Sequence, residues 1–145
     1  MYKKILIATD GSKLSDKAIQ QGLAMAKSLK AIVVATTVVV PWFPPAGPDV
    51  ETEWTAETHH KASIDYAKSL VEGIGAKAKK IGVDCEKVYV TGALPAEGIL
   101  KTAKNNHCDL IVMASHGRNG FERLLVGSET LTVLTHTKIP VLVCR

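Results

Sequence analysis

Aromatic side chains are scarce in this sequence, and charge of one sign is not concentrated anywhere. Phe, Trp and Tyr make up only 5% of the 145 residues, so a hydrophobic core must be built mainly from aliphatic side chains and alanine. Lys and Arg number 18 against 14 Asp and Glu, and the basic residues are scattered. A nucleic-acid site needs a basic stripe or patch, so we expect no nucleic-acid partner. A small anionic ligand fits the net charge of +4.

Cysteine is also rare. The three residues, Cys85, Cys108 and Cys144, are odd in number, and no two are separated by two residues. This argues against a disulfide framework and against a zinc knuckle, and it favours reduced cysteines. His59 and His60 are adjacent, and neighbouring helix residues point apart, so we predict no metal site there.

Long hydrophobic runs are absent as well. The longest, residues 32–40, contains Thr36 and Thr37 and stops at Pro41. A membrane-spanning helix needs about 20 apolar residues. The apolar stretch near the N-terminus is too short for a signal peptide. We therefore expect no membrane association and a soluble, cytoplasmic protein.

Short apolar runs alternate with stretches of helical periodicity. The runs at residues 5–9, 32–40, 110–114 and 140–144 are typical of strands buried on both faces, and 86–91 indicates a strand nearer an edge. Helices are predicted over 13–30 after a Ser12 cap, over 54–81 before Gly82, from Pro95, and from Ser128 to about His136. This alternation predicts one α/β domain, residues 1–145, with a parallel sheet.

Two strand ends carry polar loops with glycine, at residues 9–12 and 115–120. Ligands of doubly wound sheets bind at such ends, where the strand order reverses. Gly117 allows a close backbone approach, Arg118 supplies charge, and Gly127-Ser128 begins a helix whose N-terminus favours phosphate. Neither a Walker A loop nor a dinucleotide fingerprint is present. The glycines indicate either a phosphate-binding loop or simple turns.

The whole chain resembles the universal stress proteins. The resemblance lies in residues 4–12, 92–97, 109–117, 127–128 and 139–143. The nucleotide-binding branch of that family has Gly, two residues, Gly, nine residues, then Gly and Ser or Thr. In this chain the pattern is matched by Gly117, the nine residues 118–126, and Gly127-Ser128. The first glycine of the pattern is replaced by Ala114.

The resemblance implies a five-stranded parallel sheet in the order 3-2-1-4-5, with helices on both faces in a Rossmann-like arrangement. It implies ATP, ADP or AMP between strands one and four, with Mg²⁺ held through the phosphates. Asp10 would contact the nucleoside, the Val38 backbone would meet adenine, and Gly117, Gly127 and Ser128 would hold phosphates. The full expected binding set is Asp10, Val38, Ala114, His116, Gly117, Arg118, Gly127, Ser128 and Glu129. The resemblance also suggests a homodimer through the last strand, residues 140–145.

Several of these residues have a second interpretation. Asp10 could cap the first turn of a helix, and His116 could be a phosphate donor, a proton shuttle or a solvated loop residue. Trp42 and Phe43, in the proline-rich segment 41–48, could form a lid over the nucleotide or a surface for partners.

We therefore expect an ATP-binding protein of the cytoplasmic stress response that works by nucleotide-linked conformational change or partner binding. The alternatives are a slow ATPase or autophosphorylating protein and a dimeric scaffold without nucleotide. Strong catalysis is not expected, because no catalytic triad or carboxylate pair is evident in the sequence.

Overall fold

The five strands form one parallel sheet in the order β3-β2-β1-β4-β5. The computed structural model describes residues 1–41, 52–117 and 126–145, with no side chains described at residues 52–55. Along the chain the elements are β1 (Lys4–Ala8), α1 (Lys13–Leu29), β2 (Ile32–Val39), α2 (Thr52–Lys80), β3 (Cys85–Thr91), α3 (Pro95–Asn105), β4 (Leu110–Ala114), α4 (Ser128–His136) and β5 (Val141–Cys144). The expected fold class and strand order are confirmed.

The helix boundaries follow from local chemistry that the sequence displays. The Ser12 side chain accepts a hydrogen bond from the Ser15 backbone N–H and so caps α1. Pro95 is the first residue of α3, where its missing N–H has no cost. Beyond α2, Gly82 has a φ of +75°, a left-handed conformation that glycine adopts without strain.

The sheet has two faces with separate hydrophobic cores, because successive strand residues point to opposite sides. On β1, Ile5 and Ile7 join the core beneath α1 and α2, which we call the α1/α2 face. Leu6 and Ala8 join the core beneath α3 and α4, the α3/α4 face. The same alternation holds along β4, so the register of each strand is fixed by both cores at once.

One helix on each face touches the sheet through a glycine. A Cβ built on Gly22 of α1 would lie 2.6 Å from the Ile7 Cδ1 atom. A Cβ built on Gly98 of α3 would lie 2.5 Å from the Val38 Cγ2 atom. A side chain at either glycine would therefore have to displace the facing side chain of the sheet.

All three cysteines are free thiols. Burial raises the pKa of Cys108 to about 11, and it also raises the pKa values of Cys85 and Cys144. Because the thiolate is the reactive form, these residues act as small apolar side chains rather than as nucleophiles.

In the part of the chain that the structure describes, no helix is long and apolar enough to cross a bilayer. The proposed lid residues Trp42 and Phe43 lie outside the described residues.

Candidate functional site

A cavity of about 290 Å³ opens at the carboxyl ends of β1, β2 and β4. Its volume lies near the lower limit of small-molecule sites, which range from about 300 to 1,000 Å³. Eight of the nine expected binding residues line it: Asp10, Val38, Ala114, His116, Gly117, Gly127, Ser128 and Glu129. The ninth, Arg118, lies outside the described residues. The sheet topology thus brings together residues that are more than 100 positions apart in the sequence.

One end of the cavity is apolar. It is built by Ala8 of β1, Val38 of β2, Ile99 of α3 and Met113 of β4. Strand alternation places these strand residues on the α3/α4 face, and Ala8, Ile99 and Met113 are buried members of its core. Small-molecule sites are lined mainly by apolar side chains of this kind, and a flat apolar group fits such a wall.

Thr36 also lines this apolar end, and the sequence-based site did not include it. Its side chain is 0% exposed. Its Oγ1 atom is buried and finds no hydrogen-bond partner among the described residues. The only sign in the sequence is a pair of threonines, Thr36 and Thr37, inside an otherwise aliphatic strand.

Another part of the cavity wall is polar and is formed by the start of α4. Gly127 is the N-cap residue of α4, and Ser128 is its first helical residue. The amides of a first helical turn have no partner within the helix and carry the positive end of the helix dipole. Such a terminus is a binding site for phosphate or carboxylate.

Three hydrogen bonds from two donors fix the start of α4 to the end of β4. The Gly127 N–H donates to the Ser115 carbonyl at 2.7 Å. The Thr130 hydroxyl donates to the Ala114 carbonyl at 2.9 Å and to the Ser115 carbonyl at 3.2 Å. Thr130 lies in the cavity wall and was missed by the sequence analysis. The helix terminus is therefore preorganised rather than free to shift.

Asp10 and Gly117 face each other at the mouth of the site. The Asp10 Oδ1 atom accepts a hydrogen bond from the Ser12 N–H at 2.9 Å. The cap of α1 is Ser12, so Asp10 stabilises the turn before the helix instead of capping it. A Cβ at Gly117 would lie 2.9 Å from the Asp10 Oδ2 atom. A side chain at Gly117 would therefore have to displace the Asp10 carboxylate.

His116 is half-buried and is not a solvated loop residue. Its Nδ1 atom lies 3.0 Å from the Ser115 hydroxyl oxygen. Its Nε2 atom is buried and has no partner within the described part of the chain. The imidazole also lines the cavity.

Glu129 has a structural contact that its expected ligand role did not foresee. Its Oε2 atom accepts a hydrogen bond from the Ala96 N–H at 2.8 Å. Leu94, the N-cap residue of α3, makes no side-chain cap bond. Glu129 therefore caps α3 from the neighbouring helix, and this contact links the two helices that frame the cavity.

Ala114, which replaces the family glycine, is the last residue of β4. It pairs with Cys144 of β5, and Cys144 belongs to the core of the α1/α2 face. Paired residues point to the same side of a sheet, as do alternate residues of one strand. The Ala114 methyl group is therefore directed to the α1/α2 face, away from the face that carries the apolar end.

The described residues contain no group of three or more His, Cys, Asp or Glu side chains that could hold a metal ion. Any Mg²⁺ in this cavity would need most of its ligands from phosphate oxygens and water.

A family model described as the universal stress protein family matches residues 1–145. The chain is 33% identical over 145 residues to the universal stress protein MJ0531 of Methanocaldococcus jannaschii, covering 100% of this chain and 83% of that protein. It is 30% identical over 158 residues to MJ0577 of the same organism, covering 100% of this chain and 96% of that protein.

The solved structure of MJ0577 superposes with a TM-score of 0.79 at 28% identity, covering 99% of this chain and 96% of that one. A universal stress protein in complex with cAMP superposes with a TM-score of 0.70 at 24% identity, covering 99% and 97%. An Arabidopsis thaliana family protein with AMP bound gives 0.66 at 21%, covering 98% and 90%. Some members of this family thus bind adenine nucleotides. The present chain belongs to the universal stress protein family.

Proposed function

We propose that this chain binds an adenine nucleotide in the cavity described above. The observation that carries the proposal is the polarity of that cavity, whose wall combines apolar side chains on the sheet with a helix N-terminus. A nucleotide has the same division, with a flat base at one end and an anionic phosphate at the other. Related proteins with cAMP and AMP bound support this class of ligand.

The base and the phosphate have distinct places in this arrangement. The base packs between Val38 and Met113, with the Val38 backbone at its edge. The phosphate accepts hydrogen bonds from the first amides of α4 and from the Ser128 hydroxyl, each charged contact contributing about 1.5–3 kcal/mol. The small cavity volume of about 290 Å³ fits a base and ribose with the phosphate at the rim.

Asp10, Gly117 and His116 complete the proposed site. Asp10 contacts the nucleoside, and Gly117 leaves room for it because a side chain there would meet the Asp10 carboxylate. His116 lines the cavity, and its imidazole contacts the nucleotide. Arg118 adds positive charge for ADP or ATP, and Mg²⁺ is held through their phosphates.

At the cellular level, we propose a cytoplasmic stress-response protein that works by nucleotide-linked conformational change or by partner binding. We also propose a homodimer through β5, an edge strand of the sheet. Leu131 and Leu134 on α4, the helix that leads into β5, are 58% and 40% exposed. An edge strand beside exposed apolar side chains is a surface that a second copy can cover.

The first test is to denature freshly purified protein and quantify the released nucleotide by ion-exchange chromatography. Near-stoichiometric AMP, ADP or ATP supports the proposal. A protein that purifies empty is titrated by calorimetry with AMP, and with ATP plus Mg²⁺. No binding in these titrations contradicts the proposal and favours the scaffold alternative. Binding of ATP followed by phosphate release favours the ATPase alternative.

A matched pair of variants locates the phosphate. Ser128→Asp places a carboxylate in the first turn of α4, where it favours the helix but repels a phosphate. Ser128→Asn has nearly the same shape without the charge. Both variants lose the hydroxyl contact, and we expect the AMP affinity of Ser128→Asp to be at least tenfold lower than that of Ser128→Asn. Gly127→Asp is a poorer choice, because a Cβ there would lie 3.1 Å from the Ser115 carbonyl oxygen.

A further inference from the structure

The loop that carries Asp10 is tied to α1 by a chain of hydrogen bonds through two buried hydroxyl groups. The Gly11 N–H donates to the Thr9 Oγ1 atom at 3.1 Å. The hydroxyl oxygens of Thr9 and Ser15 lie 2.9 Å apart, and the Ser15 hydroxyl donates to the Ser12 carbonyl at 2.7 Å. Thr9 and Ser15 are 7% and 2% exposed, so bulk water does not compete for these bonds.

The chain has only one allowed direction. A carbonyl oxygen can only accept, so the single proton of the Ser15 hydroxyl is used toward Ser12. The Thr9 hydroxyl must therefore donate to Ser15, and its oxygen accepts from the Gly11 N–H. Each hydroxyl thus donates one bond and accepts another. A buried network whose members are all satisfied makes its surroundings rigid.

This chain acts on the conformation of Asp10. The bond from the Gly11 N–H to Thr9 closes a turn whose middle residue is Asp10, and Gly11 has a left-handed φ of +80°. The Asp10 Oδ1 atom is held separately by the Ser12 N–H at 2.9 Å. The Thr9 N–H donates to the Thr36 carbonyl at 3.0 Å and so anchors the turn to β2. The backbone and the side chain of Asp10 are therefore both fixed at the mouth of the cavity.

We propose that Thr9, through the bond between its hydroxyl and Ser15, is a positioning residue that holds the Asp10 carboxylate where it meets the nucleoside. This inference rests on the proposed function, in which Asp10 contacts the nucleoside. Thr9 acts through Asp10 and not by touching the ligand. When the chain is broken, the arrangement that binds ligand is less populated, and the apparent dissociation constant rises in proportion.

The test begins with Thr9→Val, which keeps the shape of the side chain and removes its hydroxyl. Gly11 is exposed, so its N–H can bond to water in this variant and the fold is kept. We expect the AMP dissociation constant in calorimetry to rise about 2- to 12-fold, as for the loss of one neutral hydrogen bond. Ser15→Ala breaks the chain at its other end and should act in the same direction. Thr9→Ser restores the hydroxyl and should retain most of the AMP affinity.

A double-mutant cycle with Asp10→Asn tests whether Thr9 acts through Asp10. In the wild-type background we expect Asp10→Asn to weaken AMP binding about tenfold, because a charged contact is lost. In the Thr9→Val background the same change should weaken it less than about threefold, because the carboxylate is already misplaced. Hydrogen exchange of the Gly11 amide without ligand should be faster in Thr9→Val than in Thr9→Ser.

Ser12→Ala is the matched control in the same loop. It removes the side-chain cap of α1 but keeps the Ser12 N–H that bonds Asp10 and the carbonyl that accepts from Ser15. We expect a lower melting temperature with AMP affinity near wild type. A purely structural role of Thr9 predicts the same pattern for Thr9→Val, namely a lower melting temperature with unchanged AMP affinity.

The outcomes distinguish the two proposals. If wild-type protein binds AMP and either Thr9→Val or Asp10→Asn binds it equally well, the inference is overturned and the proposed function stands. Losses that simply add in the double variant also overturn it, because Thr9 would then act independently of Asp10. Failure of Thr9→Ser to restore affinity overturns it as well. If the wild type binds no adenine nucleotide, the proposed function fails and the inference fails with it.

Discussion

The two faces of the sheet are covered by helices of very different length. On the α1/α2 face, helices of 17 and 29 residues lie over the strands, and their core includes Ile5, Ile7, Ile19 and Ile74. On the α3/α4 face, the helices have only 11 and 9 residues, and the cavity opens at the carboxyl ends of the strands. One face of this protein has its core under long helices, and the other combines a core with the proposed binding site.

We infer from this difference that the α1/α2 face contributes mainly to stability, whereas the α3/α4 face contributes to both stability and binding. The long helices of the α1/α2 face bury large aliphatic side chains. A cavity of about 590 Å³ on this face lies between α2 and the start of β3, away from the carboxyl ends of the strands. The short helices of the α3/α4 face leave the strand ends uncovered, and the contact of Glu129 with Ala96 holds the two helix starts together around the cavity. Substitutions in the core of the first face should therefore change stability alone, whereas those on the second should also change binding.

The largest expected effect comes from truncating an isoleucine on each face. Ile74→Ala removes a side chain that is 1% exposed in the α1/α2 core, and we expect a loss of about 2–5 kcal/mol in the free energy of unfolding. Ile99→Ala borders an existing cavity, so it should cost less stability but should weaken AMP binding. Urea denaturation and calorimetry measure the two quantities. Weaker AMP binding by folded Ile74→Ala would contradict the division between the faces.

The next largest effect is expected from breaking the contact between α3 and α4. Glu129→Ala removes a charged hydrogen bond to the backbone of α3, and we expect a loss of about 1.5–3 kcal/mol. Glu129→Gln keeps a neutral acceptor and should lose less. Urea denaturation of the three proteins measures the series. Wild-type stability in Glu129→Ala would show that this contact does not hold the cavity frame.

The third prediction concerns the exposed outer surface of α4, with the outer surface of α2 as the control. The Leu131→Lys, Leu134→Lys double variant places charge on the exposed apolar surface of α4, and we expect the dimer dissociation constant to rise at least tenfold, or about 1.4 kcal/mol. Tyr66→Lys is the control on α2, where Tyr66 is 42% exposed. Sedimentation velocity across a concentration series measures the change. A wild-type protein that is monomeric throughout the series would contradict the proposed homodimer.

The smallest effect is expected from the two packed glycines. Gly22→Ala gains helix propensity of about 1 kcal/mol but forces a methyl group against Ile7 in the α1/α2 core, where overpacking costs about 1–3 kcal/mol. Gly98→Ala presses on Val38, which can move into the cavity. We expect Gly22→Ala to melt below wild type and Gly98→Ala to melt near it, with weaker AMP binding. The reverse order of melting temperatures would contradict the comparison.

Most of the fold could be predicted from local patterns. Each of these signals is local: the apolar runs mark the strands, and Ser12, Gly82 and Pro95 each lie beside the helix end that they mark. The element boundaries agree with these signals within one or two residues at most positions. The order of the strands is not a local property, and it came from the resemblance to a family.

The site was predictable only in part. Glycines and a helix start predict where an anion can bind, and these residues do line one cavity. The bond between Glu129 and Ala96 joins positions 33 apart, and no sequence spacing announces it. The buried hydroxyl of Thr36 was equally hidden, since a threonine in a strand is ordinary until its surroundings are known.

The central claim is that the cavity on the α3/α4 face takes an adenine nucleotide, with its phosphate at α4 and its base at Val38. The most direct measurement is an NMR titration of isotope-labelled protein with AMP, following backbone amides and methyl groups. We predict that the largest shifts fall on the Gly127 and Ser128 amides and on the methyl groups of Val38 and Ile99. Saturable AMP binding with shifts confined to the α1/α2 face, or no shifts at millimolar AMP, would contradict the account.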